Sequence, residues 1–172
     1  VSTRWLVADQ PEGLEASIAE AETLPSMGSP FIRYQVALSS CWLALYRGEP
    51  ERALAELEPR MKELSSSLAL KAPILAHLSA WTHARARLAW SESLAGERRA
   101  ALWKKSASDI RAIRDVPQTL CRAWSASLAA ALAYQKDDRK AACDELRRAI
   151  VLFDECRARG YAASSRVLLG AL

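Results

Sequence analysis

His77 and His83 are the only two histidines in the chain, and their spacing decides what they can do. Six helical residues turn the second about 120° from the first, so one helix cannot aim both at one metal ion. No H-E-x-x-H motif is present to supply a zinc site. Serines are many, but none stands in a recognisable series with a base and a carboxylate. Asp109 and Asp115, and Asp137 and Asp138, form carboxylate pairs that helix-end and turn chemistry already explain. No G-x-G-x-x-G, H-R-D or D-F-G element occurs, and no G-x-x-x-x-G-K-[ST] cradle. Six isolated glycines cannot build such loops. These residues predict no enzyme, no cofactor and no metal.

Cysteines at 41, 121, 143 and 156 form no C-x-x-C pair. Cys143 and Cys156 fall on one predicted helix, roughly 20 Å apart along its axis. A disulfide needs Cα atoms within about 7 Å. Free thiols in a reducing cytoplasm are the reading that follows.

Binding chemistry is better represented than catalysis. Six tryptophans are spread along helical segments. On the hairpin register set out below, the first helix of each unit offers Gln35, Trp42, Leu45 and Tyr46, then His83, Arg87 and Trp90, then Trp124, Ser127 and Tyr134. Together they form a candidate partner-binding groove, since aromatic side chains and Arg anchor peptide-binding surfaces. The competing reading is that the tryptophans fill gaps between long helices. Trp81 and Trp103 sit on apolar stripes and are expected to pack. A second class of function would hold a small molecule around His83, Arg87 and Trp90. It would suit a sensing domain of a signalling or transcription-regulating ATPase.

The chain of 172 residues is 51% hydrophobic and 26% charged, with a formal net charge of +4. That composition folds and is rich in Ala and Leu, favouring helix over strand. Arg and Glu alternate along the helices, as on a solvated face. A nucleic-acid footprint would cluster its cations, so RNA is a disfavoured partner. No stretch reaches the ~18–20 apolar residues of a membrane span, and no signal segment opens the chain. It begins at Val1 with what reads as the tail of a helix, and it is taken as a piece of a larger, cytoplasmic polypeptide.

Four short turns recur, at Asp9-Gln10-Pro11-Glu12, Arg47-Gly48-Glu49-Pro50, Ala95-Gly96-Glu97-Arg98 and Lys136-Asp137-Asp138-Arg139. Asp9 to Gly48 is 39 residues, Gly48 to Gly96 is 48, and Gly96 to Asp137 is 41. Such a period marks a stacked helical-hairpin array. Helices are predicted from Pro11 to Leu24 and from Phe31 to Arg47. Another runs from Pro50, kinked or split by Pro59, and the next from Leu68 to Leu94, with a restart at Pro73. Further helices run from Gly96 to Asp115 and from Pro117 to the Asp137 turn. One more follows, stopped by Gly160, and a last begins at Tyr161. Breaks are expected at Pro25 to Pro30 and at Ser65-Ser66-Ser67. The hairpins are thus 1–25, 31–65, 68–115 and 117–159, with the start of another at 161–172. All belong to one domain whose pairs bury their stripes only against neighbours.

The segment from Cys41 to Leu54 resembles a tetratricopeptide hairpin, with Cys41, Gly48 and Ala53 in that family's small-residue, turn and following positions. Asp137 and Ala142 repeat the pattern, with Leu146 and Ala149 beyond. The unit around Gly96 departs from it, placing Arg85 and Glu92 where apolar residues are usual. The resemblance implies an all-α fold, a right-handed stack of about three and a half hairpins. A narrower likeness rests on Leu45 to Ala53, Leu57 to Arg60, Leu64 to Leu68, Arg85 to Ala89, Ala133 to Ala141 and Arg159-Gly160-Tyr161. These resemble the C-terminal helical-repeat region of large bacterial serine/threonine protein kinases. That likeness implies a non-catalytic docking or sensor region. Its partner would be a protein or peptide, or another domain of the same chain.

Overall fold

The computed structural model describes residues 4–24, 28–64 and 72–172. Within these residues the structure is helical and without strand. The helices are α1 (Arg4–Val7), α2 (Pro11–Thr23), α3 (Pro30–Tyr46), α4 (Pro50–Leu64), α5 (Pro73–Ser91), α6 (Gly96–Arg114), α7 (Thr119–Gln135), α8 (Arg139–Glu155) and α9 (Arg159–Ala171). No helix among the described residues is long and apolar enough to cross a membrane. The chain divides into two compact units, Val1–Trp90 and Ser91–Leu172.

One turn geometry ends four of these helices. Asp9, Gly48, Asp137 and Arg157 all adopt the left-handed conformation, with φ of 55°, 75°, 62° and 59°. In each case the next residue's N–H reaches back to the carbonyl five residues earlier: Gln10 to Trp5 at 2.8 Å, Glu49 to Ala44 at 2.9 Å, Asp138 to Ala133 at 3.0 Å and Ala158 to Phe153 at 2.8 Å. A second bond closes the inner ring, as in Gly48 N–H to Leu45 C=O at 3.1 Å. This paired pattern satisfies carbonyls that the helix end would otherwise leave open. It also reverses the chain within two residues, which forces the next helix to lie beside the last.

Three of the expected turns follow this pattern and one does not. Gly96 keeps a positive φ of 58° but heads α6, after a link from Glu92 to Ala95. The fourth such turn lies instead at Arg157. Gly160 was expected to stop α8; it lies inside α9, and α8 ends at Glu155. Pro117 was expected to open α7, which starts at Thr119. Pro59 does not split α4, which runs unbroken over Pro50–Leu64. Its ring removes one backbone bond, while Leu57 and Met61 on either side remain buried. The breaks expected at Pro25 to Met27 and Ser65 to Ser67, and the helix start at Leu68, lie outside the described residues.

In the first unit the core joins Tyr34, Leu38 and Cys41 of α3 to Ala53, Leu57 and Met61 of α4 and Ala86 of α5. Full burial of a side chain such as Leu57 contributes about 1.5–3 kcal/mol. The Tyr34 hydroxyl donates to the Leu75 carbonyl at 2.8 Å, so this large buried ring also leaves no polar atom stranded. At the other end, Gly13 lets Trp5 lie flat on α2: an added Cβ would stand 2.6 Å from the indole. The indole N–H then meets Ser17 Oγ at 3.2 Å.

In the second unit α7 packs on both α6 and α8, and α9 on α8. Asp138 caps α8 by accepting the Ala141 N–H at 2.9 Å. Ala142, Leu146, Ala149 and Phe153 then form its buried stripe, spaced by three and four as one helical face requires. Small residues let α6 and α7 approach: Ser125 Oγ donates to the Ile110 carbonyl at 3.0 Å.

Candidate functional site

The residues expected to line a groove divide by burial. Tyr46 and Tyr134 are exposed, at 44% and 51%. Gln35, Trp42 and Ser127 are half-buried. Trp124 is only 7% exposed and belongs to the core of the second unit, because α7 is covered by helices on two sides. Trp42 meets Trp81 edge to face at 6.5 Å, and its indole N–H is buried without a hydrogen bond. Trp81 is buried, as its stripe predicted, with the Arg85 guanidinium 4.6 Å over its ring. Trp103 is half-buried and donates its N–H to Gln135 Oε1 at 2.8 Å.

His83, Arg87 and Trp90 are half-buried on α5. His83 Nδ1 stands 2.8 Å from the Ser79 carbonyl, so this nitrogen carries the proton. Burial, with the nearby Arg87 charge, holds the imidazole below its ordinary pKa and so neutral. Arg87 pairs with Glu58 at 3.1 Å. The polar atoms that would greet a small molecule here already serve α4 and α5. Burial pushes the Cys41 thiol up to about 12, which leaves it protonated and without nucleophilic force.

Two clefts lie elsewhere, and the sequence reading missed both. The first, about 290 Å³, opens between α2, α3 and α4. Ser40, Leu43, Ala44 and Arg47 of α3 form one wall, and Glu15, Ile18 and Glu22 of α2 another. The charges are matched: Arg47 bonds Glu15 in bidentate fashion at 3.1 and 2.7 Å, and Arg60 meets Glu22 at 3.2 Å. Arg52 pairs with Glu56 at 2.8 Å. Glu15 is held below the usual carboxylate range, first by its hydrogen bonds to Arg47 and then by that charge.

The second cleft, about 470 Å³, lies between α6 and α7. One wall is Ala129, Leu132 and Ala133 of α7 with Lys136 just after it, the other Ala107, Ile110, Arg111 and Arg114 of α6, and Asp138 also lines it. Counting back from the two left-handed turn residues, Gly48 and Asp137, the offsets of Ser40, Leu43, Ala44 and Arg47 match those of Ala129, Leu132, Ala133 and Lys136. The same cleft wall is therefore built twice. It lies roughly opposite Trp124, Ser127 and Tyr134 on α7, at 100° per residue. The signal was present in the sequence as the shared Leu-Ala-x-x-[Arg/Lys] before each turn.

No protein-family model, curated protein or solved structure matches this chain.

Proposed function

We propose that these residues are a non-catalytic docking scaffold for a protein or peptide, built as a tetratricopeptide-like superhelix of antiparallel hairpins. One observation carries this reading: the same cleft wall, on the same four positions before the same turn, recurs in α3 and α7. Repeated units that present equivalent surfaces are how helical-repeat proteins build an extended binding face. The resemblance to the C-terminal regions of large bacterial serine/threonine kinases supports a role as sensor or docking segment beside a catalytic domain. In that setting the partner would act through a binding free energy that differs between two arrangements of the parent.

Panning an unbiased peptide library on the immobilised chain tests the reading. Selected peptides should bind in solution, lose affinity on Lys136→Glu in the cleft wall, and keep it on Tyr134→Ala on the opposite face of α7; both positions are exposed. Neither change should move the thermal midpoint by more than a degree or two, since surface substitutions are worth within about 0.5 kcal/mol. Trp124→Ala is the contrasting case. It should cost about 3–5 kcal/mol of stability, as large-to-small core changes do. Failure to select any peptide would remove the docking reading.

A further inference from the structure

The two clefts share a wall and differ in their charges, and the difference has a direction. In the first, the α2 side carries Glu15, Ile18 and Glu22. In the second, the α6 side carries Ala107, Ile110 and Arg114 at the same i, i+3, i+7 spacing, with Arg111 added. One carboxylate has become a methyl group and the other a guanidinium. The cation before the turn is retained, as Arg47 in one and Lys136 in the other. Arg47 has Glu15; the matching position of the α6 triplet is Ala107, which offers Lys136 no carboxylate.

The balance of the second cleft follows. Arg111, Arg114 and Lys136 line it, against one carboxylate, Asp138. Asp138 is engaged in capping α8. Arg114 reaches Glu145 only at 3.8 Å. No described carboxylate pairs with Arg111 or Lys136. Lys136 stands 5.9 Å over the Trp103 ring, a weak contact at an exposed site. The floor between the cations is apolar, of Ala107, Ile110, Ala129, Leu132 and Ala133.

Resting on the docking reading, we infer that the α6–α7 cleft receives an acidic segment of a partner protein, with carboxylates for Lys136 and Arg111 and apolar side chains for the floor. The first cleft shows the chemistry: there the helix α2 supplies Glu15 and Glu22 beside Ile18 to the equivalent wall. The partner brings to the second cleft the carboxylates that α2 brings to the first and α6 lacks. Carboxylate meeting a guanidinium or ammonium forms the stronger, charge-assisted class of hydrogen bond. The apolar floor favours a peptide over a polynucleotide, whose backbone has no such side chains to bury.

Fluorescence anisotropy on the whole chain tests this with three probes: a fluorescein-labelled amphipathic peptide of Leu, Ala and Glu, its twin with Gln for Glu, and a fluorescein-labelled oligouridylate. The acidic peptide should bind about tenfold or more tighter than its twin, and progressively weaker as salt rises. Ala107→Glu recreates the carboxylate of the first cleft inside the second. It should cost the acidic peptide about tenfold or more in affinity while leaving the thermal midpoint unchanged or raised. Lys136→Glu, at an exposed position, should cause the same loss and stands in if Ala107→Glu fails to fold. Arg147→Gln, exposed on α8 and outside both clefts, should change nothing. Equal affinity for both peptides, wild-type binding by the variants, or tighter binding of the oligouridylate would overturn the inference. If library panning selects peptides lacking carboxylates, the acidic specificity falls and the docking reading stands; if it selects none, both fall.

Discussion

Arg47 closes on Glu15 through two parallel N–H···O bonds, Nη1 to Oε1 at 3.1 Å and Nη2 to Oε2 at 2.7 Å, and so ties α3 to α2. The pair lies at the surface, where solvent and salt weaken it, and its effect is read most directly from the carboxyl itself. Glu15 should titrate below its ordinary value in a carbon-detected NMR titration, and Arg47→Gln should move it back up. The sign for stability follows. A carboxyl depressed in the folded state contributes above its unfolded pKa, and that contribution is lost as pH falls through the folded value. The Arg47→Gln variant should therefore lose less stability than wild type on acidification below the usual carboxylate range. A Glu15 midpoint unchanged by the substitution would show that the pair does not persist in solution.

His83 gives the opposite kind of group, a base kept neutral by burial on α5 with its Nδ1 proton on the Ser79 carbonyl. Arg87 opposes its protonation and Glu58, from α4, favours it, but burial dominates. The unfolded chain takes up this proton at about 6.5, the folded chain only at lower pH. Stability is therefore full above about 6.5 and declines as pH falls toward the folded value. His83→Asn keeps a donor for the carbonyl and removes the titration. Urea midpoints at about pH 7.5 and 5.5 should fall further in wild type than in His83→Asn. Equal declines would place the imidazole in contact with water.

Much of this architecture was legible because its punctuation uses residue types that announce themselves. Asp9, Gly48 and Asp137 are residues that tolerate a left-handed backbone, and each precedes a helix start such as Pro11 or Pro50. Arg157 carries no such mark, so the Gly160 nearby drew the boundary three residues too late. Gly96 looked like a turn residue and has the positive φ of one, yet it stands at the head of α6. Ala142, Leu146 and Ala149 of α8, expected as packing positions, are buried, because their spacing by four and three keeps them on one face. The clefts were not read, since small residues such as Ser40, Ala44, Ala129 and Ala133 give little hydrophobic signal. Aromatic size says how much a side chain can bury. It does not say which neighbour reaches it, and Trp124 and Tyr134 on one helix ended in different surroundings.

Arg157 offers a sharp test of the turn that the sequence concealed. Its φ of 59° places its Cβ against the following carbonyl, a strain of roughly 1–2 kcal/mol for an L-residue. The two backbone bonds that close the turn, Arg157 N–H to Asp154 at 3.0 Å and Ala158 N–H to Phe153 at 2.8 Å, ask nothing of the side chain. Nor does any described ion pair hold it. Arg157→Gly should remove the strain and give back part of the gain as entropy of the unfolded chain. A net stabilisation of about 0.5–1 kcal/mol follows, seen as a rise of a few degrees in the thermal midpoint. Gly48→Ala should act in reverse at the equivalent turn, where φ is 75° and open space surrounds the missing Cβ, so the loss there is conformational alone. If Arg157→Gly lowers the midpoint, the α8–α9 reversal is held by the arginine side chain and not by its backbone bonds.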